Sequence, residues 1–206
     1  MNIPSFLMAH KFLDLAFTPQ VLAAQQHYYG RSQVLPPAPG DDSLGPDEIA
    51  FIEARDSFYM STVSETGWPY VQHRGGPVGF CKVTGPNEIA FADYKGNRQM
   101  LTTGNLASND RVCLFMMDYP HRERLKLLGH VEVLDARDHP DLVHKITTQE
   151  LAKITERLFR IRIVSFDWNC PKYITPRFTA AEVTEAVAPL KARIAELELQ
   201  LKLQSP

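Results

Sequence analysis

The spacing of apolar residues changes period along the chain, and each change marks an element. Residues 57–63 alternate, with Phe58, Met60 and Thr62 on one side and Tyr59, Ser61 and Val63 on the other, which predicts a strand. Glu65-Thr66-Gly67 follows as a hairpin turn, and Trp68-Pro69 leads into a second strand over residues 70–74. Gly75, Gly76, Pro77 and Gly79 make the next stretch irregular, as expected where a sheet bends or a ligand nears the backbone. Gly85-Pro86-Asn87 is a further turn, and residues 88–93 form a strand that runs into the corner Lys95-Gly96-Asn97-Arg98. Residues 97–106 predict a short helix with Met100, Leu101 and Leu106 inward, ended by Asn109-Asp110. Residues 111–118 and 125–135 are strongly apolar strands, the second kinked at Gly129. Residues 140–154 read as a helix. Phe159, Ile161 and Ile163 then alternate with Arg160, Arg162 and Val164 as a half-buried strand, and residues 167–178 read as loop.

Helical patterns flank this core. Phe6, Leu7, Phe12, Leu13, Leu15 and Phe17 give the first 45 residues one apolar face, and a loop rich in Pro and Gly closes them off. Pro46-Asp47-Glu48 opens a short helix, with proline at the first helical position and acids at the positive end of its dipole. At the other end, Val183, Val187, Leu190, Ile194, Leu197 and Leu201 recur at alternating steps of four and three, a single apolar stripe on a helix that Pro189 is expected to kink or restart. That stripe is either a contact with a second copy or a lid over the chain's own core. Five to seven mostly antiparallel strands with two or three helices predict a mainly β fold, a small barrel with helical decorations.

Composition adds limits rather than direction. The 206 residues carry a formal net charge of -2, which gives no global electrostatic case for nucleic acid or an acidic membrane. Three cysteines, Cys81, Cys113 and Cys170, make no C-x-x-C pair and read as free thiols of a reducing compartment. No apolar run reaches membrane-spanning length, and the N-terminus lacks the pattern of a signal peptide, so a cytoplasmic location is expected. His139 and His144 are five apart, which does not align two ligands on one helical face, so no metal site is expected.

The candidate chemistry lies in two short pieces, His73-Arg74-Gly75-Gly76 and Tyr94-Lys95-Gly96-Asn97-Arg98-Gln99. Each places a cation beside backbone with little steric bulk, and the second opens a helix whose free N–H groups suit an anion. They read as two walls of one anion pocket, with Arg74 and Arg98 offering planar forks that match a phosphate. Arg74 has a second reading as a strand arginine in a salt bridge, and Asn97 as a helix N-cap. His73 is either a half-buried strand residue or a ring contact. The basic run from His121 to Lys126 reads as a solvated strand edge.

The order and spacing of these pieces resemble a family. Asp56-Ser57-Phe58-Tyr59, then residues 68–77 (Trp-Pro-Tyr-Val-Gln-His-Arg-Gly-Gly-Pro), Gly96-Asn97-Arg98-Gln99, Asn109-Asp110-Arg111-Val112 and residues 167–178 are similar to the pyridoxamine 5'-phosphate oxidase-like flavoproteins. The resemblance covers roughly residues 44–178. It implies a split β-barrel of about six antiparallel strands in Greek-key order, with N- and C-terminal helical extensions. The implied division is an N-terminal extension over 1–45, an FMN-binding split barrel over 46–178 and a C-terminal helix over 179–206. It also implies an FMN-dependent oxidoreductase, a homodimer with FMN at the subunit interface, and a small-molecule substrate or electron donor. The alternatives are a flavin carrier or sensor without turnover, or a haem- or deazaflavin-binding relative.

Carried over by position, Arg74 meets the FMN phosphate, and Asn97, Arg98 and Gln99 complete that site. Asp93 lies along the flavin, and Arg124 reaches the ring from the other subunit. His73 contacts the ring on one of its two readings, and Trp168 is either core or part of the C-terminal wall of the site. The sequence departs from the oxidases at Gly79, where they place a lysine, at Gln99, which replaces a second corner cation, and after Trp168, where Asn169-Cys170-Pro171 replaces Trp-x-x-Arg-Leu. These departures remove the marks of a pyridoxamine phosphate substrate while leaving those of FMN binding.

Overall fold

In a computed structural model, residues 10–33, 35–38, 40–96, 98–168 and 172–204 are described. The chain forms two compact units, Met1–Met117 with Arg124–Cys170, and Asp118–Glu123 with Pro171–Pro206. The first unit starts with helices α1 (His10–Ala16), α2 (Pro19–Tyr29) and α3 (Pro46–Glu53). Phe6 and Leu7 lie outside the described residues.

Seven strands follow: β1 (Ser57–Val63), β2 (Pro69–Gly75), β3 (Cys81–Gly85), β4 (Glu88–Tyr94), β5 (Arg111–Asp118), β6 (Glu123–Asp135) and β7 (Thr155–Trp168). Helix α4 (Leu101–Ser108) links β4 to β5, and α5 (Pro140–Ile146) and α6 (Gln149–Ala152) link β6 to β7. The strands lie in one sheet in the order β2-β1-β5-β6-β7-β4-β3. The paired ladders of β1 with β2 and β5, of β4 with β3 and β7, and of β6 with β7 are antiparallel. Three consecutive strands, β5, β6 and β7, return to lie beside β4 after the long α4 connection, which is a Greek key.

The sheet is rolled. Phe58 of β1 packs edge-on against Phe91 of β4 at 5.2 Å between ring centroids, although three strands separate them in the sheet. Phe91 in turn stacks on Phe159 of β7 at 5.0 Å, and Phe58 on Phe80 at 5.4 Å. Such contacts need the sheet to curl around its inner face. The order ends at β2 and β3, so the barrel is split between those two edges. The main core fills the inside and a smaller cluster, including Ala90, Leu134, Val143 and Leu158, lies under α5. Strand β4 is therefore buried on both faces.

Two glycines are required by close approach. A Cβ on Gly129 would stand 2.6 Å from the Arg162 carbonyl oxygen, at the bulge where β6 and β7 shift register between Leu128 and Gly129. The expected kink in this strand is that bulge. A Cβ on Gly76 would stand 2.7 Å from Cβ of Phe80. The glycines after Arg74 thus let the chain fold back on itself, with Gly76 N–H donating to the Asp56 carbonyl at 2.9 Å. Of the two readings of these glycines, a bend or the approach of a ligand, Gly76 serves the bend: the space a Cβ would need there is taken by Phe80.

Three element boundaries also differ from the sequence reading. Residues 140–154 form two helices, because Thr147 is extended and Thr148 starts a new N-cap, accepting from Leu151 N–H at 3.4 Å. Strand β7 runs on to Trp168, beyond the expected loop boundary. Helix α4 starts at Leu101, not at residue 97, because Met100 takes a left-handed conformation with φ of 59°.

The second unit holds helix α7 (Ala180–Gln204). Its N-terminus is a capping box: Glu182 N–H donates to Thr179 Oγ1 at 3.2 Å, while Thr179 N–H donates to Glu182 Oε2 at 2.6 Å. Pro189 sits inside the helix without ending it. Among the described residues no helix is long and apolar enough to cross a membrane.

Candidate functional site

Alternation along β2 sorts its side chains. Tyr70, Gln72 and Arg74 are half-buried, while Val71 and His73 are exposed. Arg74 enters the barrel interior, with its guanidinium carbon 4.8 Å from the Phe159 ring centroid and 5.8 Å from that of Phe91. There Arg74 Nη1 donates to Asp93 Oδ1 at 2.8 Å. The other carboxylate oxygen, Oδ2, accepts from Arg157 Nε at 2.9 Å and Nη2 at 2.8 Å. Asp93 at the end of β4 is thus shared by arginines from β2 and β7, and Arg157 also reaches Glu156 at 3.1 Å. The register explains the meeting, since Asp93 lies directly opposite Arg157 in the β4–β7 ladder.

Arg74, with its side chain 11% exposed, keeps a donor to spare. Its Nε is buried and has no hydrogen-bond partner among the described residues. An unmade bond at a buried charged donor is costly, so this atom suits an acceptor brought by water or a ligand. Burial lowers the Arg74 pKa from its ordinary value, and the Asp93 carboxylate opposes this shift. A guanidinium remains charged at neutral pH all the same.

The same cavity is lined by Gln72, Gln99, Met100, Thr102 and Arg157. Helix α4 presents its N-terminus here, and its N-cap residue Met100 makes no side-chain cap. Its first N–H groups lack intrahelical acceptors and lie at the positive end of the helix dipole. Thr102 Oγ1 donates to Gln72 Oε1 at 2.6 Å, tying the helix start to β2. Asn105 Nδ2 donates to Thr62 Oγ1 at 2.9 Å, tying it to β1.

The expected site residues therefore fall into separate groups. Arg74, Asp93 and Gln99 share the inner cavity. Arg98 is exposed in the turn before α4, and Asn97 lies outside the described residues. His73 is exposed and packs edge-on to Tyr59 at 5.7 Å. Tyr59 pairs in register with both His73 and Phe115, and Arg124 lies over the Phe115 ring at 5.3 Å. This makes a second group, His73-Tyr59-Phe115-Arg124, in which Arg124 Nε is also buried without a partner among the described residues. Trp168 packs against Phe51 at 4.8 Å and donates its indole N–H to Glu48 Oε1 at 2.6 Å.

Sequence reasoning missed Arg157. The only signal for it was a charged residue just ahead of the alternating stretch that contains Phe159. Among the described residues no cluster of three or more His, Cys, Asp or Glu could hold a metal.

Fold and site together define a split-barrel protein with a cation cluster inside its mouth. A sequence profile of the pyridoxamine 5'-phosphate oxidase family matches residues 46–167, more than half of the chain, and the chain belongs to that family. No curated protein matches it. Solved structures resemble it in fold. One is a putative pyridoxamine 5'-phosphate oxidase of Lactobacillus delbrueckii, 18% identical, aligned over 60% of this chain and 93% of that one with a TM-score of 0.47. Another is HupZ of Group A Streptococcus, 9% identical over 60% and 92% of the two chains, TM-score 0.45. A third is the general stress protein 26 of Bacillus anthracis, 14% identical over 63% and 92%, TM-score 0.45.

Proposed function

We propose that the chain is an FMN-binding flavoprotein that holds the phosphate of the cofactor at the Arg74 cavity. The buried Nε of Arg74, without an acceptor among the described residues and beside a start of α4 that Met100 leaves uncapped, carries this reading. A phosphate ester supplies what both lack, a compact acceptor with negative charge. Exposed Arg98 is close enough in the chain to that helix start to add a second cation from the solvent side. Asp93 and Arg157 hold Arg74 in place, and Asp93 limits the net positive charge of the cluster.

The wider reading is a cytoplasmic homodimer, in which the His73-Tyr59-Phe115-Arg124 row, on the face of β2 opposite Arg74, meets the ring of the FMN held by the other subunit. Arg124 is poised to donate to a ring acceptor through its unpartnered Nε. When bound, FMN would supply two-electron redox chemistry, which makes an FMN-dependent oxidoreductase acting on a small molecule. The chain's own residues anchor, orient and exclude water.

The test is the preference for FMN over riboflavin, which differ by the phosphate, measured by fluorescence quenching with the wild-type chain, Arg74→Ala and Arg98→Ala. A charge-assisted hydrogen bond contributes about 1.5 to 3 kcal/mol, so Arg74→Ala should weaken FMN roughly 10- to 150-fold and leave riboflavin nearly unchanged. Equal binding of FMN and riboflavin by the wild-type chain would overturn the reading. The absorption spectrum of the purified protein distinguishes flavin from deazaflavin and haem. Steady-state oxidation of a reduced nicotinamide or a pyridoxine compound distinguishes an enzyme from a carrier.

A further inference from the structure

Helix α7 carries a heptad pattern of its own. Its 25 residues place Val183, Leu190 and Leu197 at d positions, and Val187 and Ile194 at a positions. Four of these five are exposed, Val183 at 48%, Leu190 at 65%, Ile194 at 56% and Leu197 at 41%, and Val187 is half-buried. Leu201 continues the same spacing. The exposed row Val183-Leu190-Ile194-Leu197 marks a contact surface.

The residue types name the partner. At the centre of the helix, Val187 and Ile194 at a with Leu190 and Leu197 at d favour a parallel two-stranded coiled coil over trimers or tetramers. Charge agrees. In that register Arg193 occupies a g position and Glu198 the e position five residues on, so Arg193 of one copy would face Glu198 of the other, twice by symmetry. Within one helix Arg193 pairs with Glu196 at 2.6 Å, an exposed pair of small value. Pro189 sits at a c position, away from the seam, so the ring it adds does not enter the interface. We infer that α7 pairs in parallel with α7 of a second copy of this chain.

This inference does not depend on the flavin reading, because it concerns the second unit alone and its test needs no cofactor. In a parallel, in-register pair, identical d residues face each other. The full chain with Leu197→Cys should therefore form a covalent dimer under mild oxidation, in excess over the unsubstituted chain, read on a non-reducing gel. Ala192→Cys, at an outward f position, should not. Equal yields at the two positions, or no excess at either, overturn the proposal, as would capture by a single chain or an antiparallel pair.

The charge arm uses the Leu197→Cys background. Adding Glu198→Arg should lower the covalent yield by opposing it to Arg193, and the double exchange of Arg193→Glu with Glu198→Arg should restore it. The double exchange also brings a second acid beside Glu196 in the same helix, so intrahelical effects alone would lower the yield further. Absence of restoration overturns the parallel register. The substituted positions are all exposed, so loss of folding does not confound the comparison.

Discussion

Asp93 is the residue on which the candidate site turns. Its carboxylate takes three hydrogen bonds from two arginines, and all three side chains retain only 11–19% exposure. Removing that charge leaves two guanidinium groups facing each other across the barrel mouth. Asp93→Asn should cost about 2 to 3 kcal/mol in urea denaturation, near the lower end for a broken buried pair because some water reaches it. The same change raises the local positive charge, so phosphate added to the buffer should recover more stability in the variant than in the wild-type chain. Equal recovery by phosphate in both would separate Asp93 from the anion site. Cys81 shows the opposite kind of burial: its thiol is fully enclosed and pushed up to about 12, so it is protonated at any physiological pH.

At the scale of elements, the bulge in β6 and the cap of α7 are each set by one local group. Gly129→Ala forces a methyl against the Arg162 carbonyl in the interior of the β6–β7 ladder. Backbone must move, and about 2 to 3 kcal/mol of stability should be lost, as for an overpacked core. For a chain of this length that corresponds to a fall of roughly 5 to 10 °C in the thermal midpoint, read by calorimetry. The capping box of α7 makes a pH prediction. Hydrogen bonds from the Thr179 N–H and hydroxyl hold the Glu182 carboxyl below the usual carboxylate range. A depressed folded pKa means the stabilisation is complete above the unfolded value, about 4.3, and is lost as pH falls through the folded one. Far-UV circular dichroism should therefore show α7 fraying on acidification, and Glu182→Gln should lose helicity at neutral pH with a flatter acid response.

At the scale of the molecule, the two units differ in what holds them. The barrel unit has a continuous aromatic and aliphatic core, whereas α7 keeps most of its large apolar residues exposed. A chain ending after Cys170 should still unfold cooperatively and keep the FMN preference of the full chain, while losing the Leu197-dependent partner contact.

Much of this arrangement was legible in the sequence because it depends on neighbours a few residues apart. The two-residue period of β1, the turns at Gly67 and Pro86-Asn87, the helix start at Pro46 and the heptad of α7 are set by near-range sterics and spacing. The order of the motifs placed the chain in its family. What only the tertiary structure decided is which charges meet and which faces they share. Arg74 is 19 residues from Asp93, and Arg157 is 64. They come together through the roll of the sheet and the β4–β7 register, and a slip of one residue would turn Asp93 to the opposite face. For the same reason neighbouring His73 and Arg74, adjacent in one motif, separate onto opposite faces of one strand.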